Sequence, residues 1–424
     1  MVIGALMARF VLAGDSSPTP GPTPSRDRDA AGTASALEAR IREVPDSPEL
    51  LTGLGVTYLA RARETADPTF FTRAADALGR SQALEPDRPT TLTGLGLLAL
   101  ARHDFSAALD HGNRAHQLDP ASPDALGVIV DANVELGRYD EAAAAAQQMV
   151  DQRPALASLA RVSYLRELMG DVPGAISAMT QAALAGAGSP ADTAYVEGLL
   201  GDLHLGRGDL DKAEAAYLRA TATVPGFGPA EVGLARVAAA RDDLPAAITR
   251  LETIVTRLPQ PASVALLGDA YAAAGRDDDA VAQYELVRQI EALNRANGVS
   301  VDLELARFEA DHARDPGARP EVAVEMARAA FTARPTVFGS DTLAWALRQA
   351  GRADEALTHA RDAVRLGTAD GVLWYHLAAV EADLGLDDEA REHLGQALRV
   401  SPHLTIRELP PARALADRLA VAAR

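Results

Sequence analysis

The densest group of potential ligands in the chain is Glu304, Glu309, Asp311 and His312. Carboxylates beside an imidazole could hold a metal ion or move protons. On one helix, however, Glu304 and Glu309 lie about 140° apart and share no face. Asp311 and His312 fall near the helix end, where a histidine suits the negative end of the dipole. A metal site there requires His376 or a second carboxylate brought in from elsewhere; otherwise these residues cap or pack. Asp277, Asp278 and Asp279 open a helix, where carboxylates are favourable, and they lack the alternating ligands and glycine of a calcium loop. His103, His111, His116 and His204 have no ligand spacing. The chain has no cysteine, which excludes disulfides, zinc–thiolate sites, iron–sulfur clusters and thiol nucleophiles. No His-Glu-x-x-His or Gly-x-Ser-x-Gly motif occurs, and Gly94-Leu95-Gly96 belongs to a helix-packing pattern rather than a phosphate loop. No catalytic residue, cofactor or metal is expected. An enzyme or metal site near Asp311 and His312 remains only as a minor alternative.

These residues must be positioned by helices. Of 424 residues, 89 are alanine and only 4% are aromatic. Alanine favours helices and is depleted in strands. The net charge is −18, with Lys212 the only lysine, so the basic face that nucleic acid demands is missing. A chain this long exceeds one ordinary core.

The helices repeat. Alanine recurs at Ala74, Ala108, Ala142, Ala175, Ala213, Ala247, Ala280, Ala323, Ala356 and Ala390, at intervals of 33 or 34 residues that widen once to 38 and once to 43. Twelve residues beyond it a proline often ends the unit, as at Pro86, Pro120, Pro154, Pro225, Pro259, Pro335 and Pro402. Twelve residues before it lies another small residue after an apolar one, as in Leu200-Gly201 and Leu267-Gly268. A glycine turn stands between, as at Gly137, Gly208 and Gly275. Each unit therefore reads helix, turn, helix. One pair cannot bury its apolar face alone, so neighbouring pairs must stack. Extra residues around ARETADPTF lengthen the first turn, and a second helix running to about Ala296 before Asn297-Gly298 explains the interval of 43.

The segments DALGVIVDANVELGRYDEAAAAAQQMVDQRP and LGDAYAAAGRDDDAVAQY resemble the tetratricopeptide repeat, whose period is about 34 residues. The resemblance covers residues 46–402 with a half-repeat at 33–45, and 403–424 reads as a C-terminal cap with Leu415 and Leu419 on one face. NGVSVDLELARFEADH and DTLAWALRQAGRADEAL further resemble a bacterial, actinobacterial-type branch with N-terminal anchors. The family implies an all-α, right-handed solenoid of about ten repeats whose first helices line a concave groove. It implies a non-catalytic scaffold that binds an extended peptide or partner protein there. The alternative is an architectural subunit of a cell-envelope assembly that binds through its convex face.

The residue after each small residue of a first helix faces the groove if the family geometry holds. That slot, with carboxylates one turn away, gives Asp131, Glu135, Tyr164, Glu167, Asp202 and Asp269, interrupted by Arg236; the far end carries Phe338, Trp345 and Arg348, with Tyr375 nearby. A negative channel ending in an exposed aromatic beside arginines predicts a basic or mixed-charge peptide as ligand.

Residues 1–14 are apolar except for Arg9, too short to span a bilayer, and 15–32 is a Pro/Ser/Thr-rich linker. An apolar segment followed by such a linker is the layout of an exported or membrane-anchored protein, with residues 1–14 a truncated anchor or signal and the membrane met only there; the alternative is the tail of a cytoplasmic protein. Removing Met1–Arg26 is expected to leave the thermal unfolding midpoint unchanged; a lowered midpoint would place part of that tail in the fold.

Overall fold

The computed structural model describes residues 30–185, 189–300, 302–313, 315 and 318–422. The segment 1–14 and nearly all of the linker lie outside them. Among the described residues there are 22 α-helices and no strand. The chain is an all-α solenoid of stacked helix pairs.

The helices fall in two compact units. One comprises the described residues up to Arg161 together with Glu291–Val301; the other comprises those of Val162–Ile290 and Asp302–Arg424. The first contains α1 (Ala30–Glu43), α2 (Pro48–Thr65), α3 (Thr69–Leu84), α4 (Pro89–Ala101), α5 (Phe105–Leu118), α6 (Pro123–Glu135), α7 (Tyr139–Gln152) and the start of α8 (Leu156–Leu168). The second continues through α9 (Val172–Ala185), α10 (Pro190–Gly206), α11 (Leu210–Thr223), α12 (Gly228–Ala240), α13 (Leu244–Arg257), α14 (Pro261–Ala273) and most of α15 (Asp277–Ala296). It ends with α16 (Asp302–Asp311), α17 (Pro320–Ala333), α18 (Val337–Gln349), α19 (Ala353–Ala363), α20 (Gly371–Asp383), α21 (Asp387–Val400) and α22 (Leu409–Ala422).

Local chemistry sets the boundaries. Ser47, Ser122, Ser189 and Thr336 cap helices by accepting a backbone N–H, and Pro48, Pro123 and Pro190 open the first turn. The turn within each pair needs a left-handed residue. Gly208 and Gly275 supply it, whereas His103 and Asp242 adopt the same conformation in the repeats that lack the glycine. Two expectations change. The insertion near ARETADPTF does not lengthen a turn; it extends α2 to Thr65, leaving a short connection at Ala66–Pro68. Ala30–Ala31 and Gly32, read as linker, already belong to α1.

The recurring alanines are buried in every repeat. In the second unit the reason is visible at Tyr217 on α11, which has no exposed surface. Its ring lies where a Cβ on Gly201 of α10 or Gly233 of α12 would sit. Its hydroxyl donates to Asp202 at 2.7 Å. The arrangement recurs one step on: Tyr284 of α15 fills the space left by Gly268 of α14 and donates to Asp269 at 3.1 Å. A Gly-Asp pair on the first helix thus receives a tyrosine from the second.

Asp202 also accepts from Arg236 of the next first helix at 3.0 Å. Among the described residues, Glu167, one repeat earlier, has no such arginine partner. Burial, then the carboxylates of Asp202 and Asp370, push it up to about 8.

Two outcomes follow from these contacts. Gly233→Ala is expected to cost about 1–3 kcal/mol by driving a methyl into the Tyr217 ring. By contrast, Gly79→Ala in α3, where no heavy atom stands within 4 Å of the new Cβ, should stabilise by up to about 1 kcal/mol; urea midpoints compare the two. The second outcome concerns pH. The folded chain keeps the Glu167 proton that the unfolded chain releases near its ordinary value of 4.5. Stability from this group therefore falls as pH rises from about 4.5 to about 8. Glu167→Gln should match wild type near pH 4.5 and exceed it by more than ~1 kcal/mol at pH 8.

Candidate functional site

In the first unit the slot carboxylate Asp131 does not face an open groove. It is 0% exposed and receives two bonds from Arg161 of α8, Nε to Oδ1 at 2.8 Å and Nη2 to Oδ2 at 2.7 Å. Gly127 leaves the room for the guanidinium. Burial, against the pull of Arg161, pushes Asp131 up to about 6. Glu135 is buried as well.

In the second unit the slot is again a place of pairing between repeats. Asp202 is taken by Tyr217 and Arg236, so Arg236 is the partner of an acidic residue rather than an interruption in a row of free ones. Tyr164 is buried and Glu167 half-buried. Asp269 sits among Tyr284, His312 Nε2 at 3.2 Å and Arg407 Nη1 at 3.5 Å. His312, grouped with Asp311 only in the minor metal or enzyme alternative, packs between repeats: its Nδ1 donates to the Phe308 carbonyl and its Nε2 faces Asp269. Trp345 is not an exposed anchor. It is 5% exposed, with its ring stacked on His376 at 3.7 Å and the Arg348 guanidinium 4.8 Å from its centroid. Arg348 in turn pairs with Asp383 at 2.9 Å, and Phe338 is half-buried. The physical reason is common to all of these. A residue that points past its own partner helix meets the next first helix one repeat on; Asp131 and Trp345 are closed off from water there, whereas the Asp202–Arg236 pair stays half-buried.

The polar centre of this unit is assembled from four elements. Arg307 of α16 reaches Asp341 Oδ2 of α18 at 2.9 Å, Asp311 Oδ2 at 3.3 Å and Glu408 Oε1 at 3.6 Å. His376 of α20 holds Asp341 Oδ1 through Nδ1 at 2.8 Å, and its Nε2 lies 3.2 Å from Glu408 Oε1. Glu408 stands just before α22, where Thr405 Oγ1 donates to its other oxygen at 2.7 Å. Burial alone would lower His376, but Asp341 and Glu408 outweigh it and hold the ring at about 9. Burial would raise Glu408; His376, Arg307 and Thr405 reverse that and bring it to about 2. Burial pushes Asp311 above its ordinary value despite Arg307. The neighbouring Arg407 binds the Asp311 carbonyl at 2.8 Å and Asp315 at 2.7 Å. The sequence pattern could find Arg307 and name His376 as a possible addition. It could not find Glu408, which lies outside the repeat and occupies no periodic position.

Beside this centre opens a cavity of about 580 Å³. Trp345, Arg348, Tyr375 and Asp383 form one side; Arg407, Glu408, Pro411, Leu415 and Arg418 of the C-terminal segment form the other; Asp311 reaches both. Acidic and basic groups alternate around an aromatic and aliphatic wall. The arrangement suits a ligand that carries both charges and an apolar group.

Tetratricopeptide-repeat family models match residues 99–166, and then 169–227 and 232–293. No curated protein matches. Among solved structures, the human IFIT1 dimer with PPP-AAAA is 13% identical, with 94% of each chain covered and a TM-score of 0.50. A thermophilic tetratricopeptide-repeat protein of Thermus thermophilus is 21% identical over 46% of this chain and 98% of its own, with a TM-score of 0.40. One from Parabacteroides merdae is 16% identical over 57% and 97%, with a TM-score of 0.42. Likeness at these identities speaks to the fold alone, and the matches do not reach the narrower anchored branch. With the repeat models matching consecutive segments and each described repeat a helix pair stacked on the next, the chain is a tetratricopeptide-repeat protein.

Proposed function

We propose that this chain is a non-catalytic scaffold for protein–protein interaction, and that it takes a basic or mixed-charge segment of its partner in the cavity beside Trp345. The observation that carries the reading is the cavity wall: Asp383, Arg348 and Tyr375 from the repeats and Arg407, Arg418 and Leu415 from the C-terminal segment. A peptide with one apolar side chain flanked by charges complements such a wall. Of the groove residues expected from the sequence, Trp345 and Arg348 take part directly. Asp131, Asp202 and Asp269 act as inter-repeat partners that hold the first helices in register. The ligand of human IFIT1 is not carried over, because a chain of net charge −18 is a poor host for a polyanion.

The test is capture of partners from the native cell, followed by peptide arrays of the partner retained. Wild type is compared with an Asp383→Asn, Arg418→Glu double variant. Loss of affinity of tenfold or more at unchanged helicity, together with weakening by salt, is the expected result. A partner held equally by both proteins would remove the cavity and favour the outer helices as the binding face.

A further inference from the structure

Beyond peptide binding, we propose that Asp311, His376 and Glu408 form a site for a divalent transition-metal ion that ties the C-terminal segment to the repeats. Their donor atoms lie within 4.8 Å of one another, and the three residues come from α16, α20 and the segment before α22. Three features of the centre point to a cation rather than to a closed ion-pair network.

The first is that a ligand atom is left over. Asp311 Oδ1 is buried without a hydrogen-bond partner, on a side chain only 9% exposed. Beside it stand His376 Nε2 and Glu408 Oε1, 3.2 Å from each other. A buried polar atom without a partner is costly, and an ion shared with His376 and Glu408 would satisfy it.

The second is the orientation of the ring. His376 Nδ1 is held by Asp341 at 2.8 Å, which leaves Nε2 directed at Asp311 and Glu408. A carboxylate behind the imidazole is the support that metal-bound histidines use. Glu408 is oriented as well: Thr405 holds one oxygen, and the other, Oε1, lies 3.2 Å from His376 Nε2 and 3.6 Å from Arg307 Nη2.

The third is charge. Three carboxylates, Asp311, Asp341 and Glu408, face one guanidinium, Arg307. Arg307 sits on Asp341 Oδ2 and on the outer oxygen of Asp311, so it leaves Asp311 Oδ1 unclaimed. One imidazole and two carboxylates suit Zn²⁺ or Mn²⁺ better than Ca²⁺, which prefers an all-oxygen shell. Two donors on one tetrahedral ion stand about 3.4 Å apart at bond lengths of ~2.1 Å. The three side chains therefore need to close by little more than about 1 Å, within the reach of side-chain torsions. Asp311 and Glu408 also line the cavity, which provides the path of entry.

The test uses the full chain, stripped with chelator and dialysed against Zn²⁺ or Mn²⁺, with elemental analysis, isothermal titration and Co²⁺ absorption as readouts. One ion per chain with micromolar or tighter affinity is expected, with a rise in Tm of several degrees because the ion binds only the folded chain. Asp311→Asn and His376→Gln should each lose that ion and its Tm gain, and Asp341→Asn should weaken binding by 10–100-fold through the freed ring. Asp311→Asn is nearly isosteric at an oxygen that bonds nothing, so it tests the site without removing an existing contact of that atom. Absence of stoichiometric metal in wild type would overturn the proposal. So would binding that survives both Asp311→Asn and His376→Gln, since the ion would then be held by other histidines.

Discussion

A pair of helices with one apolar face must find another pair to cover it, and this chain meets that requirement with side chains of almost no volume. Ala213, Ala247 and their counterparts in the other repeats have essentially no surface left. Gly201 and Gly233 give up even a methyl group so that one tyrosine ring can lie between successive first helices. The helices therefore come close, and dispersion contacts, each tiny, accumulate over the whole interface. Close approach has a second effect. It removes the water that would otherwise solvate polar groups between first helices, so any such group must find a partner in the protein.

That second effect organises the interior. Asp131 meets Arg161, Asp202 meets Arg236 and Tyr217, and Asp341 meets Arg307 and His376. Arg236 lies 34 residues from Asp202, and Arg307 and His376 lie 34 and 35 residues from Asp341, a full repeat in each case. The buried pairs among them, Asp131 with Arg161 and Asp341 with His376, contribute little net stability, since desolvation offsets most of the attraction, but a register that left one charge alone would be heavily penalised. Glu167 shows the opposite case among the described residues: burial, and then the carboxylates of Asp202 and Asp370, push it up to about 8.

The C-terminal segment adds what the repeats do not supply. Leu415 and Leu419 cover the apolar face of the last pair, as a cap should. Arg407 and Glu408, immediately before that helix, instead reach inward to Asp269, Asp315, Arg307 and His376. The cap is thus held by charge as well as by burial. Its inner side forms half of the cavity wall, so the geometry of the candidate site depends on how the cap is docked.

Helix, turn and period are all legible in the amino-acid sequence, because each is local. Alanine spacing, capping serines, prolines just past each second helix and glycines in the turns act within a few residues of where they stand. The same pattern assigns a slot on each first helix and cannot tell what it faces. Asp131 and Trp345, expected at an open surface, are buried because the next first helix arrives there with Arg161 and His376, an approach that no single repeat reveals. Likewise Asp311 needs a second ligand to become more than a helix-end carboxylate. His376 is one candidate among nine histidines, and Glu408 has no periodic position at all. Only the tertiary structure brings them together, because their proximity is set by the stacking of repeats and the docking of the cap, which are properties of the packed chain rather than of any local pattern.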